Sequence, residues 1–237
     1  TRRSSDLDRG APDRWEPARV GKAIRDEYDA HLEAEGLLDG DAPIHTPAVL
    51  RTVRETVPTD AIVAVDVGGF RLWAMQVFEA YEPTDYIAAG SWAGMGVGLP
   101  AAIGAKLARP DDTVVCLTGD GGLLMCIHEL ATAVEEELDI VAIVSNNSDY
   151  GIISKNSGIR TADGAHPFSW ASPSFPTIAE GFGWHGESVA DADELANAVE
   201  RALARDGPSL IDVDIPTVEP SASEAADFET AIDPFSV

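Results

Sequence analysis

Thr113-Val114-Val115-Cys116-Leu117-Thr118-Gly119-Asp120-Gly121 and, one helix length later, Ile140-Val141-Ala142-Ile143-Val144-Ser145-Asn146-Asn147 decide the fold. Thr113 to Leu117 and Ile140 to Val144 are short unbroken apolar runs, each closing on a glycine or polar turn, the pattern of a parallel strand buried on both faces. The single helix-length segment between them makes a strand, helix, strand unit. Its right-handed crossover returns the chain in parallel and opens both strand ends on one edge. Asn147 lies 27 positions after Asp120, so its side-chain amide and the Asp120 carboxylate are expected to converge on one point. Two hard oxygen ligands beside the N–H groups of Gly121 and Gly122 at a helix start describe a site for Mg²⁺ carrying a diphosphate. The helix dipole is expected to add ~0.3–1 kcal/mol.

The alternation continues outward in both directions. Upstream, a strand Ala61 to Asp66 closes on Val67-Gly68-Gly69, a helix runs near Arg71 to Glu79, and a short strand Tyr86 to Ala89 closes on Gly90-Ser91-Trp92-Ala93-Gly94-Met95-Gly96. A helix from Pro100 to Arg109 follows. Downstream come a helix near Phe175 to Gly181, a strand Trp184 to Glu187, a helix Asp191 to Arg205 with Asp191 and Glu194 placed as a capping-box variant, and a strand Ser209 to Ile215. Strands separated by helices predict an α/β fold: a doubly wound, mainly parallel sheet of about six strands with helices on both faces. Four strand-end loops share one edge, and ligands of such sheets bind beyond the carboxyl ends of the strands. The irregular stretch from Asn147 to about Pro173, rich in Gly, Ser and Asp, is long enough to expect a functional loop.

Residues 1–45 read as a disordered lead to residue 16, an amphipathic helix from Pro17 to Glu35 stopped by Gly36, and a linker at Gly40-Asp41-Ala42-Pro43. Thr46 is placed to cap the next helix, with Pro47 at its first position and an end before Pro58. Residues 46–215 form one domain and 216–237 an acidic tail.

The 237 residues carry 41 acidic and 16 basic side chains, a formal charge of −25. Nucleic acid and anionic membranes are excluded as partners, because both repel such a surface. The acidic residues are spread along the helices, as on the solvated surface of a protein from a high-salt cytoplasm. No run approaches the ~20 apolar residues of a membrane span, and the N-terminus lacks the apolar core of a signal peptide; the expected location is cytoplasmic. Cys116, in a strand, and Cys126, near a helix start, have no metal-type spacing and read as inert core thiols. His31, His45, His128, His185 and Glu129 read as surface or packing residues, with His166 alone in the long loop.

At Gly119-Asp120-Gly121 and Asn146-Asn147 the chain resembles the thiamine diphosphate (ThDP) enzymes. Gly94-Met95-Gly96-Val97-Gly98-Leu99-Pro100-Ala101-Ala102-Ile103-Gly104-Ala105 and Glu129-Leu130-Ala131-Thr132-Ala133 extend the resemblance to the C-terminal, diphosphate-binding domain of the acetolactate synthase large-subunit family, over roughly Thr46 to Ile215. The resemblance implies a metal held by the Asp120 carboxylate, the Asn147 amide oxygen and the backbone carbonyl of Asp149. It implies that Met95 is an apolar wedge bending the cofactor into a V, and that the Met95 N–H and Ala93 carbonyl grip its pyrimidine. With the flanking turns, the cofactor-binding set is Gly68, Gly69, Ala93, Gly94, Met95, Asp120, Gly121, Gly122, Asn147, Asp149, Tyr150 and Gly151.

The activity implied is decarboxylation of a 2-oxo acid with transfer of the acyl-anion equivalent to a proton or a second carbonyl. The family's activating glutamate comes from a separate pyrimidine-binding domain, usually of the neighbouring subunit in a homodimer or homotetramer, and FAD would bind only a full-length protein. The segment before Thr46 then reads as the trailing end of a preceding domain, and the isolated chain is expected to bind little cofactor. Gly69-Phe70 replaces the Gln-His usual in acetolactate synthases, and Asn156 a Trp that helps choose the second substrate. Another ThDP-dependent 2-oxo acid decarboxylase therefore stays open beside acetolactate synthesis. Two readings of other classes remain. Gly96-Val97-Gly98-Leu99-Pro100-Ala101 satisfies Gly-x-Gly-x-x-Ala, as in an NAD-dependent oxidoreductase, with Pro100 and Asn146-Asn147 unexplained. A non-catalytic domain keeping the fold leaves the intact Asp120 and Asn147 unexplained. The β subunit of a 2-oxoacid:ferredoxin oxidoreductase is excluded, since two isolated cysteines cannot hold an iron–sulfur cluster.

Overall fold

The structure, a computed structural model, describes residues 17–90, 92–156 and 168–217. The polar lead through residue 16, Ser91, His166, the side chain of Asn156 and the tail from residue 218 lie outside the described residues. The chain runs α1 (Pro17–Ala34), α2 (Thr46–Thr56), β1 (Ile62–Val65), α3 (Gly69–Val77), β2 (Tyr86–Ala88), α4 (Gly98–Ala108), β3 (Val114–Gly119), α5 (Asp120–Cys126), α6 (Glu129–Glu135), β4 (Ile140–Asn146), α7 (Gly151–Asn156), α8 (Phe175–Phe182), β5 (His185–Val189), α9 (Ala192–Leu203) and β6 (Ser209–Asp214).

All pairings of the six-stranded sheet are parallel, in the order β2-β1-β3-β4-β6-β5. Alternation along each strand sorts the core into two halves. Val63, Val65, Val115, Leu117, Val141, Ile143, Ile211 and Val213 face α2, α3 and α9. Ile62, Ala64, Val114, Cys116, Ile140, Ala142, Val144 and Leu210 face α4, α5, α6 and α8. Both faces are covered, which is why the central strands read as unbroken apolar runs. From β1 the chain goes to β2 on one side and returns to β3 on the other, so the order reverses between β1 and β3. A crevice opens beyond the carboxyl ends of strands at such a switch point.

Several local expectations are corrected. His45, not Thr46, is the cap residue of α2, and no side chain caps that end; Pro47 already fixes φ and lacks an N–H, so little capping remains to be done. The segment between β3 and β4 is two short helices, α5 and α6, so Cys126 ends a helix instead of starting one. The stretch after Asn147 contains α7 and a bridge between Asp149 and Ser169. At α9, Asp191 accepts the Glu194 N–H at 2.8 Å as expected, while the Glu194 carboxylate returns to the N–H of Ala190 at 3.1 Å.

Candidate functional site

β3 ends at Gly119, and Asp120 is the first residue of α5; it is not the cap of that helix. Its carboxylate is buried, 3% exposed. One oxygen accepts the N–H of Gly121 at 2.8 Å; the other has no partner. Burial pushes the Asp120 carboxyl up to about 6, against the pull of the Gly121 and Ser148 N–H groups, and the charge of Asp212 adds to the rise. A buried, half-satisfied carboxylate of this kind is the chemistry a divalent cation completes.

β4 brings the second half of the motif. Gly119 and Ser145 are in register across β3 and β4, so the chain after Asn146 passes beside Asp120. The two asparagines divide the work. Asn146 Nδ2 donates to Asp212 at 3.0 Å, and its Oδ1 accepts from the Ser148 N–H at 3.2 Å and from Ser172 Oγ at 3.1 Å, pinning the loop ends. Asn147 Oδ1 accepts the N–H of Asp149 at 3.2 Å. Ser148 takes a left-handed φ of 56°, which few non-glycine residues adopt. Asp149 is 4% exposed and neither carboxylate oxygen has a hydrogen-bond partner, a second unsatisfied carboxylate at this edge of the sheet. Among the described residues no three His, Cys, Asp or Glu side chains form a metal cluster; a cation would rest on a carboxylate, neutral oxygens and its own anionic ligand.

Gly121 lies under an aromatic pair. A Cβ there would come within 2.6 Å of Tyr150 and 3.3 Å of Trp170, whose rings stack at 4.7 Å with a 57° tilt. The pair is held by the Trp170 backbone N–H donating to the Ser148 carbonyl at 2.9 Å. α5 spans seven residues, so the N–H groups of Gly121 and Gly122, more than a long helix dipole, are what an anion would meet.

The third loop, Ala93 to Val97, meets the side of α5: a Cβ on Gly96 would lie 3.0 Å from that of Met125. Gly96 has φ 80° and Ala93 φ 49°, and Ala93 N–H donates to the Gly90 carbonyl at 3.1 Å. Met95 is half-buried in that turn, and Gly94 exposed. The fourth loop contributes through packing. Phe70 is buried, and its ring lies against the Cα positions of Gly68 and Gly119, making it the floor of the Gly119 turn; Gly69 faces Ile152 of α7, near Gly151. All twelve expected residues thus sit at one end of the sheet. Elsewhere the thiols behave as expected: Cys116 and Cys126 are free and buried, and burial first, then Asp66, pushes Cys126 up to about 12. His128 is exposed, its Nε2 3.4 Å from Glu129.

The residue that sequence reasoning passed over is Asp66. It is 0% exposed and accepts from Val67 N–H (2.7 Å), Gly96 N–H (3.1 Å), Val97 N–H (3.2 Å) and Thr118 Oγ1 (3.0 Å). Strand parity carried the signal: Ala64 pairs with Cys116, so Asp66 and Thr118, two residues on, share the face that holds α4 and α5.

Known proteins resemble this chain in sequence and in fold. A family model described as "Thiamine pyrophosphate enzyme, C-terminal TPP binding domain" matches residues 66–213. Acetolactate synthase isozyme 2 large subunit of Escherichia coli (strain K12) is 32% identical over 210 residues, 85% of this chain and 37% of that one. Isozyme 1 of the same organism is 34% identical over 178 residues, 75% of this chain and 32% of that one. Among solved structures, the Rhodococcus jostii RHA1 thiamine diphosphate-dependent 4-hydroxybenzoylformate decarboxylase superposes with a TM-score of 0.68 at 30% identity, covering 76% of this chain and 34% of that one. The chain spans about a third of the length of these relatives.

Proposed function

The chain belongs to the thiamine pyrophosphate enzymes, through their C-terminal TPP-binding domain, and from that premise we propose that it serves an acetolactate synthase-like carboligase acting on a 2-oxo acid. The observation that supports the assignment of the site most strongly is the buried Asp120 oxygen without a partner, beside the N–H groups of Gly121 and Gly122. Asp120, the Asn147 amide oxygen and the Asp149 carbonyl would hold Mg²⁺, and Gly121 and Gly122 would receive the diphosphate. Bound ThDP would supply the electron sink that stabilises an acyl carbanion once a 2-oxo acid has lost CO₂. The protein's part is placement: Ala93 and Met95 orient the pyrimidine, Gly68 and Gly69 leave the cleft floor open, and Tyr150 with Gly151 closes the phosphate side against water.

The remaining machinery would come from a pyrimidine-binding domain of the same or a neighbouring subunit, in a homodimer or homotetramer. Supporting a partner at this edge, Trp92, Met125 and Ile153, on or beside the loops of the cleft, expose apolar surface, Trp92 at 96%; rims of this kind are interaction surfaces. Residues 46–215 would form the cofactor domain, residues 1–45 the approach from a preceding domain, and 216–237 an acidic tail. FAD, if used, would bind outside residues 46–215. No helix among the described residues is long and apolar enough to cross a membrane.

A second reading has its own support. Gly69-Phe70 stands where acetolactate synthases usually carry Gln-His, and one structural relative is a decarboxylase named for an aromatic 2-oxo acid. Product analysis separates the two. Incubating the full-length protein with pyruvate or with benzoylformate, ThDP and Mg²⁺ should give acetolactate from pyruvate under the first reading and benzaldehyde from benzoylformate under the second. ThDP-independent turnover, or none with any 2-oxo acid, would overturn both.

A further inference from the structure

Asp66 occupies the switch point between β1 and β3, and its surroundings are built around its carboxylate. Each oxygen takes two donors: Oδ1 from Val67 and Val97, Oδ2 from Gly96 and Thr118. The three backbone N–H groups can only donate, and the Thr118 hydroxyl divides its proton between Asp66 and the Gly119 carbonyl 3.2 Å away, so the group works as an acceptor toward both oxygens, the role a carboxylate fills and an amide cannot. The backbone N–H of Asp66 extends the β1–β3 ladder to the Leu117 carbonyl at 2.9 Å, which fixes the carboxylate to the sheet. Two helices are pressed against it. A Cβ on Gly98, at the start of α4, would lie 2.7 Å from the Asp66 Cβ, and one on Gly122, in α5, would lie 2.5 Å from Oδ2.

These contacts tie together two separate turns of the site. Gly96 and Val97 are the two residues after Met95, so the carboxylate holds the turn that presents Met95 and Ala93. Thr118 precedes Gly119-Asp120. Asn147, by contrast, has its own attachment to the 148–151 loop, through the Asp149 N–H. We propose that Asp66 is a positioning residue that fixes the Ala93–Val97 turn relative to the metal-binding turn and thereby sets the bend of the bound cofactor. The inference rests on the reading of this cleft as a ThDP site.

Its removal therefore splits two properties that a general loss of structure would move together. Asp66→Asn keeps the shape but turns an N–H₂ toward donors. In the cofactor-free full-length protein, the amides of Gly96 and Val97 should lose hydrogen-exchange protection by about tenfold or more, while those of Val63, Val115 and Ile143 keep theirs. At saturating ThDP and Mg²⁺, kcat and the rate of deuterium exchange at the thiazolium C2 should both fall by roughly 100-fold. The ThDP Kd should move far less, because the metal and diphosphate contacts persist. Thr118→Val, which deletes one donor and leaves the carboxylate in place, runs in parallel and should show the same split at smaller amplitude. Unchanged protection at Gly96 and Val97, or unchanged kcat and C2 exchange, in folded variants would overturn the proposal. Failure of the wild-type protein to bind ThDP would instead overturn the reading of the cleft, while the exchange data on Gly96 and Val97 would still judge the anchoring.

Discussion

Asp120 is buried where its ionised form costs stability. Its carboxyl is raised to about 6 from 3.8, chiefly by burial. Between those values the folded protein binds more protons than the unfolded chain, so stability falls as pH rises from about 4 to about 6, and the whole penalty, up to ~3 kcal/mol, is present above pH 6. Urea unfolding without metal should show that decline, Asp120→Asn should flatten it, and Mg²⁺ should offset it at neutral pH. Identical pH slopes for the two proteins would contradict this assignment. At Gly122 the prediction is steric. Gly122→Ala places a methyl 2.5 Å from Asp66 Oδ2, an overpacking that should destabilise by ~1–3 kcal/mol, seen as a lower Tm. Asp120, Gly121 and Asn147 could be read from the sequence because their chemistry is local to two turns. Asp66 could not be ranked the same way: three of its four hydrogen-bond partners are 30, 31 and 52 positions away, and only the folded switch point brings them together.

At the level of elements, the strands were the legible part. Unbroken apolar runs at β3 and β4 mark burial on both faces, and helix-length spacers force parallel returns, so sheet type and the edge carrying the site follow from pattern alone. The strand order does not, since nothing local says that β6 inserts between β4 and β5. Short helices also escape such reading: α7, six residues long, completes too few turns to show a period, and the α5–α6 break is a turn inside an apolar stretch. Caps are legible when the side chain has an orphan N–H to satisfy. Asp191 does at α9, and Ser174 does at α8, accepting from the Thr177 N–H at 3.3 Å. Asp191→Ala and Ser174→Ala should therefore each cost ~1 kcal/mol and lower Tm by a few degrees. No loss at either position would show that capping is not the operative term.

Across the whole molecule the charge of −25 is the largest property no single site explains. Self-repulsion at this density opposes compaction and is screened as the Debye length shrinks from about 10 Å at 0.1 M salt to about 3 Å at 1 M. Tm should rise over that range; a flat or falling Tm would remove high-salt adaptation as the reason for the composition. The central claim is that Asp120, Asn147 and the neighbouring glycines bind ThDP through a metal. Calorimetric titration of ThDP into the full-length protein, with and without Mg²⁺ in high salt, tests it most directly. The account predicts binding that requires Mg²⁺ and weakens at least about 100-fold in Asp120→Ala; binding indifferent to Mg²⁺ and to Asp120, or no binding under any condition, would contradict it.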